Sequence, residues 1–315
     1  MAAGQSSTPS FFNFLKEGVL LPSRNRSLFA AVFVVIVATT SLLLFANDLA
    51  IQPLADEVLA DAKALNGTDP SSPDFSHLLQ EIQDDTRDLL LAGAAYLLCA
   101  VVVGSAVRTV VLFAAVTTYS GELHTFGSLL GKARAQLKGP LLTLAFVYVV
   151  EIAYVALLTA MVALIVYLAM KGYTVMLLVV YLPLLAGIVF MVYFAFVCNL
   201  GVVVAVAEPG CHGAGAVRRA WRLAKGKRRR AVVFVAVTGL LAAAFSPVHT
   251  LARACAVGNV ASGLLLELVY TALMAAVELF GLCAFAAFYF ECKGSSEAAA
   301  TEYEKLSTKE ADDDA

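Results

Sequence analysis

Residues 173–207 read Y-T-V-M-L-L-V-V-Y-L-P-L-L-A-G-I-V-F-M-V-Y-F-A-F-V-C-N-L-G-V-V-V-A-V-A, without one Asp, Glu, Lys or Arg. A helix needs about 20 apolar residues to cross a hydrocarbon layer about 30 Å thick, and this run exceeds that length. It is followed at once by a connection carrying Arg218, Arg219, Arg222, Lys225, Lys227, Arg228, Arg229 and Arg230, and then by a second apolar run over 231–252. Apolar, basic, apolar is the pattern of two membrane helices joined on the cytosolic side. Working outward, comparable runs occupy 28–46, 89–118, 140–170 and 263–290. The expectation is an all-α membrane protein of six transmembrane helices, with Pro183 and Pro247 as candidate bends.

Composition supports this reading. Of 315 residues, 60% are hydrophobic and only 15% charged, against about 45–50% and about 25% in soluble domains. A water-facing exterior cannot be drawn over such a core. A sequence pI of 6.1 gives no basis for expecting nucleic acid as a partner. The first apolar run is longer than the 7–15 residues usual in a secretory leader, so a retained helix is expected there, with cleavage near Ala46 as the lesser alternative.

Of the 22 Lys and Arg residues, all but Lys63, Arg87, Arg108, Lys171 and Arg253 fall on one side of the alternating spans. Basic residues concentrate in cytosolic loops, so both termini are expected in the cytosol. The chain then divides into a cytosolic arm over 1–27, the helical domain over 28–290 and an acidic tail over 291–315. The tail is rich in Ala, Ser, Glu and Asp and is expected to be disordered. Within the domain, residues 47–88 form an acidic loop on the side away from the cytosol, with a short helix expected over 78–89. Asn66-Gly67-Thr68 in that loop is a glycosylation sequon, with Asn66 as the candidate acceptor.

Two connections on the basic side are amphipathic. In 213–225, Ala214, Val217, Trp221 and Ala224 recur at helical spacing, and in 126–137 Phe126, Leu129, Leu130, Ala133 and Leu137 do the same. One or two helices lying in the membrane interface are expected, with Trp221 at headgroup level and Arg218, Arg219, Arg222, Lys225, Lys227, Arg228, Arg229 and Arg230 toward anionic lipid. The competing reading is that these charges only fix the topology. Lys132-Ala133 and Lys138-Gly139 match Arg219-Ala220 and Lys225-Gly226 at a constant offset of 87 residues, each segment flanked by apolar helices. That is the sign of a parallel repeat, an arrangement found in transporters.

Charges inside the spans form a second set of candidates. Arg108, Glu151 and Glu278 each lie roughly 15–20 Å from the cytosolic end of their helix at about 1.5 Å per residue. They form a candidate intramembrane cluster, either a structural ion pair or a site for a proton, a cation or a polar headgroup. Arg253 and Glu267 form a candidate pair near the outer ends. The four histidines and six cysteines show no metal-ligand spacing, and no phosphate loop, nucleophile elbow or dinucleotide fingerprint is present. No enzyme activity, metal or cofactor is expected. Cys211 and Cys292 are juxtamembrane, where S-palmitoylation competes with the plainer reading of an idle thiol.

The stretch 205–231, A-V-A-E-P-G-C-H-G-A-G-A-V-R-R-A-W-R-L-A-K-G-K-R-R-R-A, and the run Phe288-Tyr289-Phe290-Glu291-Cys292-Lys293 resemble a plant family of uncharacterised multi-pass transmembrane proteins. Some members of that family are labelled polyadenylate-binding-protein-binding proteins. More distantly, the layout is similar to membrane domains appended to bacterial glycerophosphodiester phosphodiesterases and to small bacterial inner-membrane proteins. The resemblance implies a topology, not a chemistry, and the label implies a cytosolic protein partner. The expected function is non-enzymatic: a protein of the endomembrane system or plasma membrane that organises or contacts lipid through its basic surface. The alternatives are a transporter or channel-like protein using Arg108, Glu151 and Glu278, and a scaffold recruiting cytosolic partners.

Overall fold

The computed structural model describes residues 12–68, 72–122, 124–258 and 260–313. Among these, α-helices run in the order α1 (Asn13–Arg24), α2 (Arg26–Ala46), α3 (Gln52–Gly67), α4 (Pro73–Tyr119), α5 (Phe126–Gln136), α6 (Lys138–Met170), α7 (Thr174–Ala207), α8 (Ala214–Ala224), α9 (Arg228–Gly258) and α10 (Val260–Asp313). Six stretches are long and apolar enough to cross a membrane: Arg26–Leu65, Phe75–Tyr119, Lys138–Met170, Val179–Ala207, Arg228–Cys255 and Ala261–Ser295. Both α7 and α9 remain helical through Pro183 and Pro247.

Three segments depart from expectation. The acidic loop is largely helical. A π-helical turn over Asn47–Ile51 carries α2 into α3, and α4 begins at Pro73, well before its apolar part. Pro53 and Pro73 stand at helix starts, since Pro lacks only an N–H that the first turn leaves unbonded anyway. The tail continues α10 as far as Asp313. Ala and Glu, two of the residues that suggested disorder, also favour helix. The arm contains α1, which buries Phe14, Gly18 and Leu21.

The chain forms two compact units. One comprises the described residues up to Val32, Thr109–Phe245 and those from Ala276 onward. The other comprises Phe33–Arg108 and Ser246–Ala275. In the second unit, polar groups of the spans satisfy one another, as apolar surroundings require. Tyr96 Oη donates to the Leu43 carbonyl at 3.1 Å, and Ser41 Oγ to Thr271 Oγ1 at 3.2 Å.

The first unit is built around three helix segments buried on nearly every side: the end of α4 from Val111 to Thr118, the end of α7 from Phe196 to Val206, and Leu282–Tyr289 of α10. A helix apolar all round belongs in a core. Phe14, Phe196, Phe234, Phe285 and Phe288, from α1, α7, α9 and α10, form one aromatic knot with ring centroids 4.3–6.4 Å apart. Gly18 permits the close approach of α1 to α10, since a Cβ there would lie 2.8 Å from Ala284 Cβ. Small residues serve this purpose wherever packing, and not exclusion of water, holds helices together. The antiparallel pair α6 and α7 turns at Gly172 (φ 74°), with the Gly172 and Tyr173 N–H groups donating to Ala169 O and Leu168 O. Tyr154 Oη ties the pair together by donating to Gly187 O at 2.9 Å.

Candidate functional site: the basic end of the helices

The offset of 87 read from the sequence is also the register of burial. In α5 the buried residues are Leu129 and Ala133; in α8 they are Ala216, Ala220 and Ala224. Leu129 corresponds to Ala216 and Ala133 to Ala220. The fully buried end of α4 corresponds in the same way to the buried end of α7. Within the first unit, the end of α4 with α5 and α6, and α7 with α8 and the start of α9, thus repeat one motif.

An ion pair repeats as well. Glu122, three residues beyond α4, binds Lys132 of α5 at 2.5 Å. Glu208, the residue after α7, binds Arg219 of α8. Lys132 and Arg219 are equivalent positions. The settings differ: the Glu208 side chain is 16% exposed and that of Glu122 51%. Glu208 Oε1 also accepts the Tyr289 hydroxyl at 2.7 Å, joining α7, α8 and α10. The hydrogen bond from Lys132, helped by His124, holds the Glu122 carboxyl below the ordinary carboxylate range.

These contacts sort the basic residues. Arg219 and Arg230 are structural, neutralised by Glu208 and Glu291. Lys227 Nζ lies 3.2 Å from Ser295 Oγ and 3.5 Å from the Glu291 carbonyl. The guanidinium of Arg228 stands 5.9 Å over the Tyr193 ring, and Trp221 meets the same ring edge-on at 5.5 Å. Arg218, Arg222, Lys225 and Arg229 are exposed and make no ion pair among the described residues. Sequence reasoning missed Glu208, Glu291 and Tyr289. The available signal was an acid placed within three residues of the end of a core helix segment, three times over.

The intramembrane candidates fall in different units. Arg108 is the last residue of its segment of the second unit, while Glu151, half-buried, and Glu278, exposed, belong to the first. In the second unit Arg253 donates to Gln52 Oε1 at 3.0 Å, and no ion pair joins it to Glu267 among the described residues. Asn66 lies near the end of α3, and its side chain is outside the described set. Cys292 is 3% exposed, which closes it to the acylation that a juxtamembrane position allowed. No group of three or more His, Cys, Asp or Glu able to hold a metal occurs among the described residues.

Residues 7–307 match the family described as a domain of unknown function, DUF8558. The chain belongs to the DUF8558 family. No curated protein and no solved structure matches it. Six apolar spans make this DUF8558 chain a multi-pass membrane protein in contact with the lipid bilayer.

Proposed function

We propose that the chain is a non-enzymatic membrane protein that contacts and organises anionic lipid through the α8–α9 surface, with both termini and the basic connections facing the cytosol. The observation that carries this reading is the division of labour among the charges. Arg219 and Arg230 hold the fold, whereas Arg218 and Arg222 stand exposed on a helix whose opposite face, Ala216, Ala220 and Ala224, is buried, and Lys225 stands exposed just past its end. A helix seated in this way offers its cations to whatever lies at the membrane surface. The label carried by some members of the plant family that the sequence resembles would add a cytosolic protein partner, which a basic loop or the acidic tail could offer.

The test is thermal unfolding in nanodiscs. In neutral phosphatidylcholine the wild type and an Arg218→Gln, Arg222→Gln, Lys225→Gln variant are expected to melt together. Adding phosphatidylglycerol is expected to raise the melting temperature of the wild type by more than that of the variant. An equal rise in both would remove the proposal.

A further inference from the structure

Three openings follow one another along α7, α8 and α9. The first, about 330 Å³, is a trough between α7 and α9 walled by Val189, Val192, Phe196, Val232, Val235 and Ala236. The second, about 640 Å³, shares Val189 and Tyr193 with the first and adds Trp221 and Arg228. The third, about 540 Å³, shares Arg228 with the second and is lined by Lys225–Arg230. The lining therefore passes from aliphatic to aromatic to basic. That is the order of an acyl chain, the interfacial belt where Trp and Tyr settle, and a headgroup phosphate.

We propose that this row is a binding site for one phospholipid with an anionic headgroup. The acyl chain occupies the α7–α9 trough, and Arg228 with the Lys225–Arg230 turn takes the phosphate. On the α9 side the trough is lined in part by the small side chains of Ala231 and Ala236. Arg228, held over Tyr193, stands at the junction of the apolar and basic parts. The first copy of the repeat has no counterpart: Leu141 stands in place of Arg228, Arg134 in place of Trp221 and Ala106 in place of Tyr193. The inference rests on the lipid-contact reading above and narrows it from a surface to a single site.

Native mass spectrometry of the full chain tests it, with phosphatidylglycerol and phosphatidylcholine of the same chain length offered in equal amounts. The wild type is expected to retain one phosphatidylglycerol. Arg228→Gln keeps a lipid but lowers the preference for the anionic one about fivefold, the value of roughly one cation near a phosphate. Ala236→Phe fills the trough and loses the retained lipid whatever its headgroup. Val232→Phe, at a side chain already 64% exposed, repeats that arm should Ala236→Phe fail to fold. Arg218→Gln with Arg222→Gln lies outside the row and lowers the anionic preference less than Arg228→Gln does. Retention that survives trough filling and falls with the Arg218 and Arg222 changes would overturn the site while sparing the broader surface reading. No headgroup preference in any arm would overturn both. Displacement of the lipid by soluble glycerol 3-phosphate would show a phosphate site without an acyl trough, and would equally refute the proposal.

Discussion

The two copies of the repeat are alike in what holds them together and unlike in what they display. Both end a core helix with an acid, both pair it with a cation on the surface helix, and both seat that helix on buried residues in the same register. At the positions where the second copy carries Arg218, Arg222, Arg228 and Arg229, the first carries Gly131, Ala135, Leu141 and Leu142. The scaffold is therefore complete without those charges. What the second copy adds beyond the scaffold is a basic, tryptophan-bearing surface, and that difference points to function more firmly than the total charge does.

The largest expected effect comes from the repeated ion pair. Glu208→Gln leaves a half-buried guanidinium short of its partner and weakens the bond to Tyr289, a loss of about 2–3 kcal/mol in unfolding measured in detergent. Glu122→Gln, at an exposed pair, is expected to leave the melting temperature at neutral pH within experimental scatter. The Glu122 contribution has a pH signature of definite sign. Because its folded pKa is depressed, its stabilisation is complete above the ordinary carboxylate range and is lost as pH falls through the folded value. Melting curves of the wild type and Glu122→Gln taken against pH should therefore differ at most slightly, with the wild type losing any small advantage at the acid end. Equal losses from both substitutions would break the distinction between a buried and an exposed copy.

A smaller effect sharpens the register. Ala133 and Ala220 are equivalent and buried, at 2% and 0% exposure. Leucine at either is expected to overpack its seat, costing about 1–3 kcal/mol. Leucine at the exposed Arg218 is expected to cost far less. If Ala133→Leu were silent while Ala220→Leu was not, the two surface helices would not be equivalent.

The spans and both surface helices were legible because their physics is local: an apolar run of sufficient length, a basic connection, an apolar stripe at helical spacing. The repeat was legible from only four matched residues, Lys132, Ala133, Lys138 and Gly139, because two of them mark the buried face or the charge clamp of α5. The helicity of the acidic loop was hidden by Pro53 and Pro73, which signal a turn and a helix start equally well. Helix α1 was hidden by Pro22 and by its short apolar stripe, although Phe14, Gly18 and Leu21 keep helical spacing. Which arginines are clamps and which are free to meet a ligand was not legible at all. Arg218 and Arg219 are neighbours in sequence, and only the position of Glu208 across a turn separates their roles.

The most direct test uses the only tryptophan in the chain. Trp221 sits on α8, partly exposed against Tyr193. In reconstituted vesicles, its fluorescence quenching by lipids brominated at successive chain depths reports where α8 lies. The account predicts the strongest quenching from labels nearest the headgroup. It also predicts more quenching when the brominated lipid is phosphatidylglycerol than when it is phosphatidylcholine. Absence of quenching from every depth, as for an indole in bulk water, or a maximum at the bilayer centre, would contradict it.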